Sequence, residues 1–165
     1  MNYLGNFGEA YIKALLENRG IKCVKSTYES RYEYDYSCQF AKTKFTLEVK
    51  LDAKSFETGN IPIETHNTKS DKPSGLNCTQ ADIWCFLLKD FEHTTAWFAN
   101  TEQLRTYVKT NEPFKTVEFG GDKNARLLLY RADDILKSVF TKVDTLDEEG
   151  LKKLIKKLVK SQIKN

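Results

Sequence analysis

The sequence has few features of membrane, zinc-binding or disulfide-rich proteins. No window approaches the roughly 18 uninterrupted apolar residues of a membrane-spanning helix, and residues 1–8 lack the basic and then apolar layout of a signal peptide. The four cysteines form no CxxC pair, and neither histidine stands at a metal-ligand spacing from a cysteine, which disfavours a zinc site. We therefore expect an intracellular, cytoplasmic protein without a membrane partner, whose cysteines are buried and reduced.

A strong charge of one sign is also absent. The chain carries 26 lysines and arginines against 23 aspartates and glutamates, a net charge of +3, so bulk electrostatics alone does not indicate a nucleic-acid partner. No internal repeat or low-complexity linker divides the 165 residues, and this length suits one domain with a substantial core. We predict a single domain over residues 1–165.

The apolar residues recur with two periods, which separates predicted helices from predicted strands. Helical spacing predicts helices at about 2–19, 101–109 (capped by Thr101), 132–139 and 146–163, and one helical turn at 79–82. Alternating apolar residues predict strands at 21–26, 32–40, 44–51, 61–65, 83–88, 94–99, 117–119 and 126–131, the last two around Gly120-Gly121. Residues 66–77 are polar and predict a loop, and Pro62 suits an edge strand. This order predicts an α/β or α+β sandwich with a mixed sheet.

Acidic and basic residues that could act on a phosphodiester converge early in the chain. Over residues 44–51 polar and apolar side chains alternate, so Glu48 and Lys50 share one face of a strand. Asp35 lies a short hairpin away, and Glu9 on the first helix adds a third acid. A hard cation takes carboxylate and carbonyl oxygens, which makes Asp35, Glu48 and the Val49 carbonyl candidate ligands. Lys50 could hold the attacking water or stabilise charge on the phosphate.

These residues form an ordered set that resembles the PD-(D/E)xK nuclease superfamily. The set is Gly8-Glu9 on a first helix, then Tyr34-Asp35-Tyr36 and Glu48-Val49-Lys50 on neighbouring strands. The spacing is similar to that of archaeal-type Holliday junction resolvases and small phage nucleases, and residues 73–76 and 80–84 are similar to a segment of phage enzymes with this fold. The resemblance covers residues 4–88, and Tyr34 stands where the family name has proline.

The resemblance implies a restriction-endonuclease-like core, with a mixed central β-sheet flanked by helices. It implies magnesium, or manganese as a substitute, held by Asp35 and Glu48, water positioning by Lys50, and a supporting or second-metal role for Glu9. The implied activity is a metal-dependent endonuclease on double-stranded DNA, which a phage-encoded origin would suit. A Holliday junction resolvase and a non-catalytic DNA-binding module are the alternatives. Two strands need two active sites, so we expect a homodimer or higher homo-oligomer. An ExK triplet can also be an ordinary solvated ion pair.

Further polar residues are secondary candidates. Glu64, on the strand after residues 58–60, either faces the same cleft or is an exposed edge charge. The candidates for phosphate contact from the following loop are Lys69, Lys72, Ser74 and Gln80, although polar loops are usually just solvated. We expect a structural role for His66. The tyrosines that alternate with Glu33 and Asp35 are expected in or on the core rather than stacked on bases; they are Tyr32, Tyr34 and Tyr36.

The helix predicted at about 146–163 is basic and amphipathic. An apolar stripe leaves the remaining surface to six lysines, namely Lys152, Lys153, Lys156, Lys157, Lys160 and Lys164. Acids at its start and lysines towards its end match the helix dipole. Alternatively, the lysine face binds the DNA backbone, with Lys152 and Lys156 as contacts and a salt-dependent affinity. A third possibility is a dimer interface formed by the stripe.

Overall fold

The secondary structure comes from a computed structural model that describes residues 3–120 and 124–163. The helices are α1 Tyr3–Glu17, α2 Ser55–Thr58, α3 Thr101–Thr110, α4 Ala132–Val139 and α5 Glu148–Ile163, with a 3-10 turn at Gly75–Asn77. The strands are β1 Lys22–Lys25, β2 Tyr36–Phe40, β3 Thr43–Asp52, β4 Asn60–Asn67, β5 Lys72–Pro73, β6 Ile83–Lys89, β7 Thr94–Asn100, β8 Lys115–Gly120, β9 Ala125–Arg131 and β10 Thr141–Lys142. Asn2, Gly121 and Lys164, which the sequence predictions include, lie outside the described residues.

The strands form two sheets. The six-stranded sheet has the order β1-β2-β3-β6-β7-β10, in which β3 and β6 are parallel and the other neighbours antiparallel. This confirms the predicted α+β class, with a mixed central sheet and flanking helices. A second, antiparallel sheet has the order β5-β4-β9-β8. The sequence did not predict which strands belong to this second sheet, because alternation marks a strand but not its partner.

Each face of the six-stranded sheet packs on its own apolar cluster. On one face α1 and α5 pack on the sheet, and their residues Leu16 and Ile155 belong to the same buried cluster as Leu47 and Val49 of β3. The other face carries the second sheet together with α3 and α4, and its buried side chains include Trp84, Phe86, Ile61, Ile63, Leu104 and Ile135. Full burial of one such apolar side chain stabilises the folded state by roughly 1.5–3 kcal/mol. Since alternate residues of a strand point to opposite faces, Glu48 lies on the face of the second sheet.

A glycine lets α1 approach the central sheet closely. A Cβ atom at Gly8 would lie 3.1 Å from the Leu51 Cβ and 3.3 Å from a Leu87 methyl group. With contacts this short, a larger side chain at this position would force its neighbours to shift. The next residue is Glu9, so the same close approach brings the α1 carboxylate to the sheet.

Several local predictions need correction in the first half of the chain. Residues 27–34 form turns rather than a strand, so Asp35 directly precedes β2, and Tyr32 is 73% exposed instead of packed in the core. Residues 66–77 hold the β4–β5 hairpin and the 3-10 turn rather than a plain loop, and the helical turn predicted at 79–82 lies upstream, at Gly75–Asn77. Backbone pairing made in three dimensions overrides local composition at these positions.

Other predictions concern caps, edges and cysteines. Asn100, not Thr101, caps α3, because its side chain accepts a hydrogen bond from the Gln103 backbone N–H at 2.9 Å. Pro62 pairs with Leu129 of β9 while β5 pairs at the far end of β4, which suits the predicted edge position. Cys78 is exposed, contrary to the expectation of buried cysteines. Within residues 3–120 and 124–163, the helices are too short or too polar to cross a membrane.

Candidate active site

The Asp35 carboxylate lies where β2 begins. Its backbone N–H donates to the Leu47 carbonyl at 2.9 Å, and its Oδ2 accepts a hydrogen bond from the Val49 N–H at 2.7 Å. The pairing of β2 with β3 starts at Tyr36 and Leu47. The backbone of β3 beyond Leu47 is therefore free of β2 at Val49, where the Asp35 side chain bonds to it. The N–H and C=O of a strand residue point to the same side. The Val49 carbonyl is therefore directed to the Asp35 side of β3.

Glu48 and Lys50 form an ion pair on the same face of β3. Lys50 Nζ lies 2.9 Å from Glu48 Oε1, and the Lys50 and Glu48 side chains are 37% and 13% exposed. The Nζ atom also lies 5.7 Å from the centre of the Trp84 ring, which is fully buried on the neighbouring strand β6. The structure therefore brings Asp35, Glu48 and Lys50 together, while their roles in catalysis remain predictions.

Burial and neighbouring charges shift the pKa values of both Asp35 and Lys50. Burial, followed by the Glu48 carboxylate, raises the pKa of Asp35 to about 6, and the Val49 N–H and the Lys50 ammonium only partly oppose that rise. Burial lowers the pKa of Lys50, but Glu48, together with Asp35 and Glu64, outweighs it and holds that pKa above its ordinary value. Lys50 is thus a cation at neutral pH. Asp35 is ionised at that pH although burial and the Glu48 carboxylate oppose its ionisation.

Glu9 lies at the border of the cluster. Its Oε2 atom is 2.6 Å from Lys25 Nζ, and the Tyr36 hydroxyl donates to its backbone carbonyl at 3.2 Å. The Glu9 carboxylate raises the pKa of Lys25, and it also contributes, as a minor cause, to the raised pKa of Asp35. Glu9 was predicted from the sequence but Lys25 was not, because the local pattern of β1 does not show that Lys25 pairs with a residue of α1.

Glu64 and Ser74 are bonded to each other near the same cluster. The Ser74 hydroxyl donates to Glu64 Oε1 at 2.6 Å, and Glu64 is one of the carboxylates that raise the pKa of Lys50. Gly75 has φ +53°, and a Cβ there would lie 2.3 Å from the Glu64 carbonyl oxygen, so only glycine fits. Glu64 therefore adds negative charge beside Lys50, and Ser74 orients it.

A buried hydroxyl links Glu48 to the segment that follows the 3-10 turn. Thr79 is 3% exposed, and its Oγ1 accepts from the Ala81 N–H at 3.2 Å. The same atom lies 3.2 Å from Glu48 Oε2 and 3.1 Å from the Glu33 carbonyl. A hydroxyl has one proton and can donate to one of these acceptors at a time.

Arg105 of α3 holds this segment in place. Its Nε donates to the Leu76 carbonyl at 3.0 Å, and one of its terminal nitrogens donates to the Thr79 carbonyl. Sequence reasoning missed both Thr79 and Arg105, since they lie 26 residues apart and meet only in the folded chain.

The residues predicted to contact phosphate from the loop lie in and after the β4–β5 hairpin. Lys69, Lys72 and Gln80 are exposed, the first two in the β4–β5 hairpin just before Ser74. The Gln80 backbone N–H donates to the Glu33 carbonyl at 2.8 Å. His66 Nε2 lies 2.9 Å from Asp71 Oδ1, which suits the structural role expected for it.

The lysines of α5 are not brought to this cluster. α5 packs on the opposite face of the central sheet from Glu48. Lys152 pairs with Glu148 at 2.6 Å, and Lys152 and Lys156 lie 5.6 and 5.9 Å from the ring centre of Phe40. Phe40 ends β2, at the far end of that strand from Asp35. The structure therefore places the α5 lysines away from the acidic cluster, and DNA contact by Lys152 and Lys156 stays a prediction.

The cluster itself is what indicates a function for this chain. Among residues 3–120 and 124–163, the His, Cys, Asp and Glu side chains form no group of three or more arranged to hold a metal ion. The candidate oxygen donors are the carboxylates of Asp35 and Glu48, which interact electrostatically, and the Val49 carbonyl on the Asp35 side of β3. Comparisons with protein-family models, curated proteins and solved structures found no match. Function is therefore inferred from the chemistry of the cluster.

Proposed function

We propose that this chain is a magnesium-dependent DNA endonuclease of the PD-(D/E)xK type, with a restriction-endonuclease-like core, that hydrolyses phosphodiester bonds of double-stranded DNA. The observation that carries the proposal is the meeting of Asp35 with the Glu48–Lys50 pair at the start of β2. Burial and Glu48 together oppose ionisation of Asp35. Such a perturbed carboxylate is characteristic of functional sites.

The donor set fits a magnesium ion. Asp35, Glu48 and the Val49 carbonyl would supply three hard oxygen ligands, and Mg²⁺ usually keeps several waters beside a few protein oxygens. A cation there would also offset the like charges that raise the pKa of Asp35. When bound, it supplies charge neutralisation at the phosphate and activation of water. Manganese takes similar ligands and should substitute.

Lys50 supplies a fixed positive charge beside these ligands. Because its pKa is raised, it stays protonated and acts as a donor rather than as a base. Its ion pair with Glu48 holds it in place before substrate binds, so it can orient a water or donate to a phosphate oxygen without reorganisation. Glu9 and Glu64 lie outside this set and tune its charge.

Two alternatives exist on the same fold. A Holliday junction resolvase would use the same residues on a branched substrate. A non-catalytic DNA-binding module has no physical use for a carboxylate whose ionisation burial opposes, and this favours catalysis. Cleavage of plasmid, linear duplex, single-stranded and four-way-junction DNA, with magnesium and with EDTA, separates the three. We expect metal-dependent cutting of duplex DNA. Preferential cutting of the junction would identify a resolvase, and binding without any cutting would identify the module.

Cutting both strands of a duplex takes two active sites, so we propose that the working form is a symmetric dimer or a higher oligomer. Light scattering with and without DNA tests this directly. A particle of twice the chain mass is the expected result. A strict monomer that still makes double-strand breaks would contradict it.

The Thr79 hydroxyl should matter for rate as well as stability. Thr79→Val keeps the shape of the side chain but deprives the Ala81 N–H of its acceptor, which we expect to cost about 1–3 kcal/mol of stability. The variant also lacks the polar atom that lies 3.2 Å from Glu48 Oε2, so the single-turnover cleavage rate should fall as well. Thr79→Ser is the matched control and should restore both. A serine variant as slow as the valine variant would refute the role of the hydroxyl.

The position of α5 makes a prediction about salt dependence. Changing Lys152, Lys153, Lys156 and Lys157 together to glutamine should leave the slope of log affinity against log salt unchanged for the DNA that is cut. Changing Lys69 and Lys72, beside the cluster, should flatten that slope by roughly 0.9 for each phosphate that the protein no longer neutralises. Fluorescence anisotropy over a range of salt concentrations measures both slopes. A flatter slope for the α5 variant would show that α5 binds the DNA backbone after all.

A further inference from the structure

The turn segment before β2, residues 27–34, presents an ordered stack of aromatic and cationic side chains. The Arg31 guanidinium carbon lies 3.5 Å from the ring centre of Tyr28 and 4.3 Å from that of Tyr32. Arg31 also donates to the Tyr32 hydroxyl at 2.8 Å and to the Tyr28 carbonyl. The two tyrosines are nonetheless 79% and 73% exposed. Large aromatic area is thus held at the surface by a charged side chain.

The segment is tied to the acidic cluster at its base. Thr27 and Ser30 exchange hydrogen bonds through their hydroxyls, which closes a tight turn. Further along, the Glu33 carbonyl accepts from the Gln80 N–H at 2.8 Å, and the Asp35 carbonyl accepts from the Ser26 N–H at 2.8 Å. The stack therefore has a defined position relative to the Asp35 carboxylate.

The stack lies within a few nucleotides of that carboxylate. Tyr32 and Asp35 are three positions apart in the chain, so their Cα atoms are at most about 11 Å apart. Successive nucleotides of one strand rise about 3.4 Å along a duplex. A base that reached Tyr32 would belong to a nucleotide close to a phosphate at Asp35.

We propose that Tyr28, Arg31 and Tyr32 form a stacking platform for an unpaired nucleobase of the DNA, next to the bond that is cut. Aromatic faces and guanidinium planes are the surfaces on which unpaired bases stack, and Arg31 adds attraction for the backbone. Bases inside an intact duplex present only their edges and cannot use such faces. The inference rests on the proposed function in taking DNA as the ligand. It narrows the substrate class to duplex DNA that carries unpaired nucleotides near the cut, as at a forked or flapped end.

Binding measurements on an inactive protein test the platform separately from catalysis. Asp35→Asn protein is titrated by anisotropy against one sequence in three forms: blunt duplex, duplex with a forked end, and single strand. The double variant Tyr28→Leu/Tyr32→Leu removes the aromatic faces, and Tyr28→Phe/Tyr32→Phe retains them. Phe91→Leu removes a 99% exposed aromatic ring on the β6–β7 turn, on the order of 20 Å along the sheet from the level of Asp35.

We expect the leucine pair to weaken binding of forked and single-stranded DNA by about tenfold or more, with blunt duplex binding unchanged. The phenylalanine pair and Phe91→Leu should bind all three forms as the parent does. Equal weakening for all three DNAs, no weakening, or a change in oligomeric state alone would overturn the platform. Thermal melting of each variant checks that it folds. If the wild type cuts DNA but the leucine pair binds forked DNA normally, only this inference fails; if selective binding persists without any cutting, only the nuclease proposal fails.

Discussion

Replacing Asp35 with asparagine should abolish DNA cleavage and, at the same time, stabilise the protein above neutral pH. The amide keeps the shape and can still accept the Val49 N–H, but it carries no charge to hold a cation. We expect the single-turnover rate to fall by at least about a thousandfold, the equivalent of roughly 4 kcal/mol. Burial and Glu48 raise the pKa of Asp35 to about 6 from its ordinary 3.8. Removing that penalty should add about 3 kcal/mol to the free energy of unfolding.

The pH dependence of this gain follows from the direction of the shift. Between about pH 4 and pH 6 the folded protein binds more protons at Asp35 than the unfolded chain does, so the free energy of unfolding falls as pH rises through that window. The difference between wild type and Asp35→Asn should therefore vanish near pH 4 and be complete above about pH 7. Chemical denaturation at both ends of the window measures it.

Asp71 offers a matched control for the same chemical change. Its side chain is 95% exposed and its backbone has φ +53°, a conformation that asparagine accepts well. Asp71→Asn should leave activity unchanged and give no comparable gain in stability. If Asp35→Asn is active, Asp35 is not a metal ligand needed for cleavage. If it is less stable than wild type at high pH, ionisation of Asp35 does not cost folding free energy.

Replacing Lys50 with alanine should slow the chemical step by about 10²–10³-fold while strengthening magnesium binding. The two effects have one cause. In the proposed site Lys50 would stabilise negative charge at the phosphate, whereas without substrate it pairs with Glu48 and lowers the pKa of Asp35. Its removal leaves the carboxylates free to attract a metal ion. The pKa of Asp35 should rise further, which moves the acid limb of the pH–rate profile to higher pH.

Lys44 supplies the comparison, since it is an exposed lysine on the same polar face of β3. Lys44→Ala should change neither the rate nor the metal affinity. An ordinary surface ion pair between Glu48 and Lys50 would contribute only about 0–1 kcal/mol to stability and nothing to rate. Single-turnover rates and magnesium titrations that match wild type in Lys50→Ala would support that simpler interpretation.

The sequence was most informative where a local pattern coincides with burial. The alternation over residues 44–51 correctly placed Glu48 and Lys50 on one face, because Leu47 and Val49 fill the core on the other. Long amphipathic segments such as α5 were also found within a few residues of their ends. These features depend on one element and its own period.

Features that depend on tertiary contact were not predictable in this way. Tyr32 was predicted in a strand, yet Arg31 and a tight turn hold both Tyr28 and Tyr32 at the surface. Thr79 reaches Glu48 across 31 residues, and its hydroxyl resembles any other in the sequence. The face of the sheet on which α5 packs is likewise a property of chain topology. An apolar stripe on a helix predicts that this face is buried, but it does not identify the element on which the helix packs.

The most direct test is the magnesium dependence of single-turnover DNA cleavage by wild type, Asp35→Asn and Glu48→Gln. The substrate is end-labelled linear duplex with one forked end, so that both paired and unpaired nucleotides are offered. We predict cutting by the wild type that rises to saturation with magnesium and stops with EDTA, and no cutting by either variant at any magnesium concentration. Cutting that survives EDTA, or that either variant performs at the wild-type rate, would contradict a metal-dependent active site at Asp35 and Glu48.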